Sequence, residues 1–209
     1  MTPSRFLLIA TLATLGAAAA FGQVSAVRAG SFEIGPFIGA SYGIDKFRVM
    51  GGGNITYALK NKYVLPYFEY SYLPGLPRQT SGTIPGDGSY THTFKLPLSD
   101  IHGGVHLRLP IFKESPIVPY LVFGLGVVHY PSRKDSITYQ VESGPVTLNP
   151  NVAGGSDFTI NGGGGLRYYI GGTGKFGFRT EAKVYKPITG PFSNVTIGKV
   201  EAGFFFQLH

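Results

Sequence analysis

The stretch SDIHGGVHLRLP, residues 99–110, gathers the residue types that do acid–base and metal chemistry: Ser99, Asp100, His102 and His106. A hydrolase needs a hydroxyl, an imidazole and a carboxylate within hydrogen-bond reach of one another, and Ser99, Asp100 and His102 are of the right kinds. The local pattern argues against that use. The segment alternates apolar and polar residues, so it reads as a strand, and in a strand Ser99 and Asp100 point to opposite faces. His102 and His106 share a face but stand roughly 13 Å apart along it, too far to hold one ion directly. The chain has no cysteine, which removes thiolate nucleophiles, disulfides and CxxC-type metal sites. No catalytic, metal or cofactor residue is assigned, and the histidines are read as interior polar packing. The glycine runs GGGN at 51–54 and GGGG at 162–165 are followed by neither Lys-Ser/Thr nor a helical pattern, so they do not read as a phosphate loop.

Composition bounds the remaining classes. Eighteen Lys and Arg against eleven Asp and Glu give a formal net charge of +7. The basic residues are dispersed, with no run or basic helix, which argues against nucleic acid and suits attraction to anionic lipopolysaccharide or a membrane surface. The 31 glycines, 16 Phe and 13 Tyr lean toward an all-β chain. At the N-terminus Arg5 precedes an uncharged apolar run from Phe6 to Phe21, the layout of a signal peptide and too short for a comfortable helical span. The expected signal segment is 1–26, with cleavage after Ala20, two residues beyond Ala18, or after Ala26, two beyond Val24.

Strands must position everything else. From Ser31 eight segments alternate: FEIGPFIGASYG, FRVMGGGNITYAL, YVLPYFEYSYL, the stretch ending DIHGGVHLRLP, YLVFGLGVVHY, DFTINGGGGLRYYI, FGFRTEAKVY and IGKVEAGFFFQL. Connections after the second, fourth and sixth are compact, at 60–62, 110–119 and 171–175. Those after the third, fifth and seventh are longer, at 73–90, 131–156 and 186–195. The first, near Ile44 to Lys46, is short and breaks the alternation. In every strand one face is crowded with apolar residues. Ile101, Val105 and Leu107 oppose His102, His106 and Arg108; Phe176, Phe178, Ala182 and Val184 oppose Arg179, Glu181 and Lys183; Val200, Ala202, Phe204, Phe206 and Leu208 oppose Lys199 and Glu201. One small soluble barrel could not bury eight such faces, whereas a lipid belt needs all of them. The expected fold is an eight-stranded antiparallel transmembrane up-and-down β-barrel over 31–209.

Charges on the other face then fall inside a narrow lumen, where an unpaired charge is costly. Arg48, Glu69, Arg108, Arg167, Arg179, Glu181 and Lys183 are expected to form an interior network, with arginines bridging Glu69 on the third strand to Glu181 on the seventh. Eight strands leave an interior filled by side chains, which predicts a plugged barrel. Two hairpins echo each other: Gly51, Gly53, Ile55 and Tyr57 match Gly162, Gly164, Leu166 and Tyr168, and Glu69 matches Glu181.

The glycine-rich second and sixth strands, FGFRTEAKVY and the last alternating strand together resemble the small outer-membrane β-barrels of the OmpA/OmpX-like type, over about Ser31 to His209. The resemblance implies insertion in the bacterial outer membrane, contact with its lipids and lipopolysaccharide, and recognition by the barrel-assembly machinery of a last strand bearing Gly203, Phe204, Phe206 and Leu208. The expected role is structural or surface-interacting and not enzymatic, with ligands met at loops 73–90 and 131–156. A narrow channel for small solutes and a lipid A-modifying enzyme are the alternatives.

Overall fold

The computed structural model describes residues 27–43, 47–84, 88–109, 111, 115–170 and 174–208. The expected signal segment 1–26 and the first connection, 44–46, lie outside the described residues. So do parts of the connections at 73–90, 110–119 and 171–175.

The strands are β1 (Phe32–Tyr42), β2 (Phe47–Tyr57), β3 (Val64–Leu73), β4 (Pro77–Ile84), β5 (Gly88–Lys95), β6 (Leu98–Arg108) and β7 (Ile117–Tyr130), then β8 (Arg133–Lys134), β9 (Ser136–Val141), β10 (Gly144–Leu148), β11 (Asn151–Val152), β12 (Gly155–Ile170), β13 (Phe176–Pro187) and β14 (Ile197–Leu208). Eight of them close a barrel in the order β1-β14-β13-β12-β7-β6-β3-β2. Each is antiparallel to its neighbours, and β1 closes on β14 from Phe32↔Leu208 to Tyr42↔Gly198, which leaves the barrel without an edge. β2–β3, β6–β7 and β12–β13 are joined at one end, and the long connections stand at the other.

The period-two pattern decides which face is which. Phe32, Ile34, Ile38, Val49, Phe68, Ile101, Phe123, Leu125, Val184, Val200, Phe204 and Phe206 are exposed, and together they form an apolar belt around the outside. The residues between them point inward and are buried: Glu33, Arg48, Glu69, Asp100, His102, His106, Arg167, Arg179, Glu181, Lys183, Lys199 and Glu201. Inward glycines make room for large neighbours. A Cβ on Gly165 would lie 2.6 Å from the Tyr120 ring, and one on Gly203 would lie 2.7 Å from Cβ of Phe37, its partner across β1 and β14. Without those glycines the rings could not fill the lumen.

Two apolar layers cap the polar interior. At the long-loop end Phe37, Met50, Leu73, Leu96, Leu98, Val128, Tyr185 and Ile197 cluster, with Phe192 and Val195 of the 188–196 connection packed against them. At the short-turn end Ala58, Leu65, Val118, Tyr169 and Phe205 surround Val27, which is only 1% exposed. A tight turn sends Val27 into the mouth. Gly30 adopts a φ of 75°, which favours glycine, its N–H donates to the Ala58 carbonyl, and the Ser31 hydroxyl donates to the Arg28 carbonyl at 2.6 Å.

The long connections differ from the irregular loops expected. β4 pairs antiparallel with β5, residues 136–148 form the β9–β10 hairpin, and the two pairs join edge to edge as a sheet in the order β10-β9-β5-β4. Their Thr-, Tyr- and Ile-rich alternation, as in SYTHTFK and SITYQV, is the signal for these strands. β7 also starts earlier than expected, at Ile117, and takes in Pro119, which has no N–H to donate but whose carbonyl accepts from the Leu109 N–H at 2.9 Å.

Candidate functional site

The lumen is organised around Lys183. Its Nζ lies 2.7 Å from both carboxylate oxygens of Glu69, 2.6 Å from Oε1 of Glu181 and 3.4 Å from Oε2 of Glu201. These three glutamates, brought together from β3, β13 and β14, have the geometry of a cation site. The lysine ammonium is the cation that fills it. Arg179 adds a second positive charge, with Nη2 at 3.1 Å from Glu201 and 3.9 Å from Glu69. Glu181 Oε2 also accepts a hydrogen bond from the Tyr120 hydroxyl at 2.7 Å.

A second group lies nearer the short-turn end. Arg167 donates from Nε to Glu33 at 2.9 Å and from Nη2 to His106 Nδ1 at 2.6 Å, and its guanidinium sits 4.0 Å over the Tyr120 ring. Because arginine can only donate, His106 Nδ1 must accept, which leaves its proton on Nε2, 3.5 Å from Glu181. Tyr169 donates its hydroxyl to the other oxygen of Glu33. Toward the loops Lys199 pairs with Asp100, and Ser71 donates to the same carboxylate at 2.6 Å.

Of the residues expected in the network, Glu69, Arg167, Arg179, Glu181 and Lys183 are in it. Arg48 sits nearer the loop end, where Nη1 donates to the Leu96 carbonyl at 2.5 Å. Arg108 is half-buried and makes no ion pair among the described residues. The bridge from Glu69 to Glu181 is Lys183 rather than an arginine. Glu33, Asp100, Lys199 and Glu201 were not foreseen, although each lies on the polar face of an alternating strand and that face was the signal. With them the barrel interior holds, among the described residues, six buried carboxylates, Glu33, Glu69, Asp100, Asp157, Glu181 and Glu201, and five buried cations, Arg48, Arg167, Arg179, Lys183 and Lys199.

The residues suggestive of hydrolysis do not assemble as first paired. Asp100 points inward while Ser99 is partly exposed on the opposite face. His102 Nε2 meets the Thr159 hydroxyl at 2.7 Å and its Nδ1 is 3.5 Å from Asp100. This hydroxyl–imidazole–carboxylate line is at most 1% exposed at each residue, so no substrate reaches it.

Outside the membrane belt, the two long loops meet in a cleft of about 380 Å³ lined by Pro77, Phe94, Lys95, Lys134, Asp135 and Asn149. Burial pushes the Asp135 carboxyl up, but hydrogen bonds from Arg133 and His92, at 2.8 and 3.0 Å, outweigh it and hold the group below the usual carboxylate range. On β14, Phe204, Phe206 and Leu208 are exposed on the outer face and Gly203 lies inward.

No protein-family model matches the chain, and no curated protein does. Solved structures do. Neisserial surface protein A is 10% identical, the match covering 85% of this chain and 96% of that one, with a TM-score of 0.53. Ail, the attachment invasion locus protein of Yersinia pestis, solved with the heparin analogue sucrose octasulfate, is 13% identical over 85% of this chain and 97% of its own, with a TM-score of 0.46. What this chain shares with Neisserial surface protein A at such identity is the fold, the eight-stranded antiparallel transmembrane barrel of the small outer-membrane type.

Proposed function

We propose that this protein is an outer-membrane surface-binding barrel: a sealed, non-enzymatic scaffold that displays a β-sheet outside the cell. The observation that carries this reading is the fusion of the two long loops into one four-stranded sheet at one end of the barrel. Loops on a rigid scaffold are where binding resides, and a shared sheet fixes their relative position. A lumen filled by paired charges between two apolar layers supports a plug and not a solute path. In this reading the segment 1–26 is a signal peptide removed on export, and the belt contacts outer-membrane lipids and lipopolysaccharide. The barrel-assembly machinery reads β14 through Gly203, Phe204, Phe206 and Leu208.

The absence of cysteine allows a direct test. A single Glu142→Cys substitution on the loop sheet and a single Lys175→Cys at the short-turn end are exposed in turn to a membrane-impermeant maleimide on intact cells. Labelling of the first only is expected, together with no steady open level in planar bilayers. Equal labelling, or labelling of Lys175→Cys alone, overturns the orientation, and a reproducible conductance of ordinary pore size overturns the plug.

A further inference from the structure

The loop sheet has two chemically different faces. Directly paired residues share a face, as do alternate residues along a strand. Three rows therefore cross one face: Thr83–Ser89–Gln140–Pro145, Ser81–Thr91–Thr138–Thr147 and Gln79–Thr93–Ser136. Apart from Pro145, at the edge of the first row, all ten side chains are hydroxyls or amides. All are exposed or half-buried. The opposite face carries Gly82–Tyr90–Tyr139–Val146 and Thr80–His92–Ile137–Leu148 across the same strands, so the segregation is nearly complete.

The polar face is not a usual solvated surface. Such surfaces are rich in Lys, Arg, Glu and Asp, whereas here Lys95, at the end of β5, is the one charge on the face among the described residues. Thr138 and Thr147 bond to each other at 3.0 Å. Among the described residues the other eight side chains have no internal hydrogen-bond partner. The backbone ladder holds these groups at about 4.8 Å between strands and roughly 6.8 Å along each strand. A charged ligand would find almost no counter-charge on the rows. An apolar partner would strip water from hydroxyls without replacing it, which is unfavourable. A polymer that is itself neutral and hydroxyl-rich can exchange these hydrogen bonds one for one, each hydroxyl both donating and accepting.

We infer that the hydroxyl face of the loop sheet binds an uncharged polysaccharide chain, lying across the rows centred on Thr91 and Thr138. The inference rests on the reading of the loop sheet as the exposed binding surface. Each contact is weak, so affinity accumulates with polymer length and is insensitive to salt.

The test uses the full-length purified barrel in detergent over immobilised dextran, mannan and galactan, all neutral. Retention on at least one polymer is expected. It should be unchanged between about 0.05 and 0.5 M salt, and it should not be displaced by the free monosaccharide. The Thr91→Val, Thr138→Val double variant keeps side-chain shape and strand preference, and should bind at least about tenfold more weakly. Tyr139→Leu, on the opposite face, should bind as the parent does, and heat-modifiability on gels verifies that each variant is a folded barrel. Failure to bind any of the three polymers overturns the inference, as does binding abolished by salt, or binding lost in Tyr139→Leu and kept in the double valine variant. Binding is measured on purified protein and surface exposure by maleimide on cells, so the failure of one is distinguishable from the failure of the other.

Discussion

Lys183 and Glu69 meet across the full width of the lumen: β13 and β3 stand four places apart in the eight-membered ring, yet the ammonium lies 2.7 Å from both carboxylate oxygens. The same ammonium reaches Glu181 on its own strand and Glu201 on β14. Three carboxylates at the centre of the barrel thus depend on one lysine and its neighbour Arg179.

Removing Lys183 should therefore do more harm than removing any one of its acids. Lys183→Met leaves three glutamates facing each other in a dry interior, and breaking such a buried pair typically costs about 3–5 kcal/mol. Urea unfolding in detergent should show that loss. Glu181→Gln should cost less, because Glu69 and Glu201 still hold the ammonium. Combining Lys183→Met with Glu69→Gln should recover part of the stability. An unchanged midpoint in Lys183→Met would mean that water already solvates the centre.

The belt supplies a second prediction. Val105 pairs with Pro66 and Phe123 on the outer surface of β6. Val105→Arg should cost roughly 2–4 kcal/mol near the bilayer midplane, measured by folding into lipid vesicles. Val146→Arg, on the loop sheet, should change folding little. The reverse ranking would turn the barrel inside out.

Much of the architecture is legible in period-two alternation, because lipid outside and paired charge inside impose opposite demands on successive residues. FGFRTEAKVY places Arg179, Glu181 and Lys183 on one face without any knowledge of partners. Partnership is another matter. Which cation spans to Glu69 depends on strand stagger across the ring, and that is a property of closure that no single strand carries. Arg179 has the reach to meet Glu181, its neighbour two residues on, but turns to Glu201. The loop strands escape for a different reason. THT and SIT are short, polar on one face and bounded by Gly and Pro, so they read as connection until β5 and β9 pair across 43 to 51 residues of sequence. Val27 shows the same limit, since nothing in AVRAGS signals that a turn at Gly30 sends it into the mouth.

That turn leads to a third prediction. Val27 is packed by Ala58, Leu65, Val118, Tyr169 and Phe205, and the turn is held to the end of β2 by the Gly30 N–H donating to the Ala58 carbonyl at 2.8 Å and the Ala58 N–H donating to the Ser31 carbonyl at 2.9 Å. Val27→Asp puts a carboxylate among those apolar groups and should cost at least roughly 1–3 kcal/mol, the penalty of an unsatisfied buried polar group. It should also raise ion leakage through the reconstituted barrel. Val27→Leu should do neither. If Val27→Asp left both stability and leakage unchanged, the 27–31 turn would be ornament at the mouth and not its seal.

The last prediction is a pH dependence confined to the loop sheet. Asp135 follows β8 and accepts hydrogen bonds from Arg133 on its own loop and from His92 on β5, so its carboxylate ties the two loops together. Burial opposes ionisation there, but those donors prevail and hold the carboxyl below its ordinary value of about 3.9. With the folded-state value depressed, the stabilisation is fully present above the ordinary value and is lost as pH falls through the lower, folded one. At neutral pH the tie contributes roughly 1.5–3 kcal/mol, the range for hydrogen bonds to a charged group. Amide exchange at Thr138 and Tyr139, read by NMR in micelles, should accelerate below about pH 4, relative to barrel amides such as those of Gly163 and Ala182. Asp135→Asn should show the faster loop exchange already at pH 7 and lose most of the acid response. Acid-induced loosening of equal size in Asp135→Asn would place the titrating group elsewhere and break the link between this carboxylate and the joining of the loops.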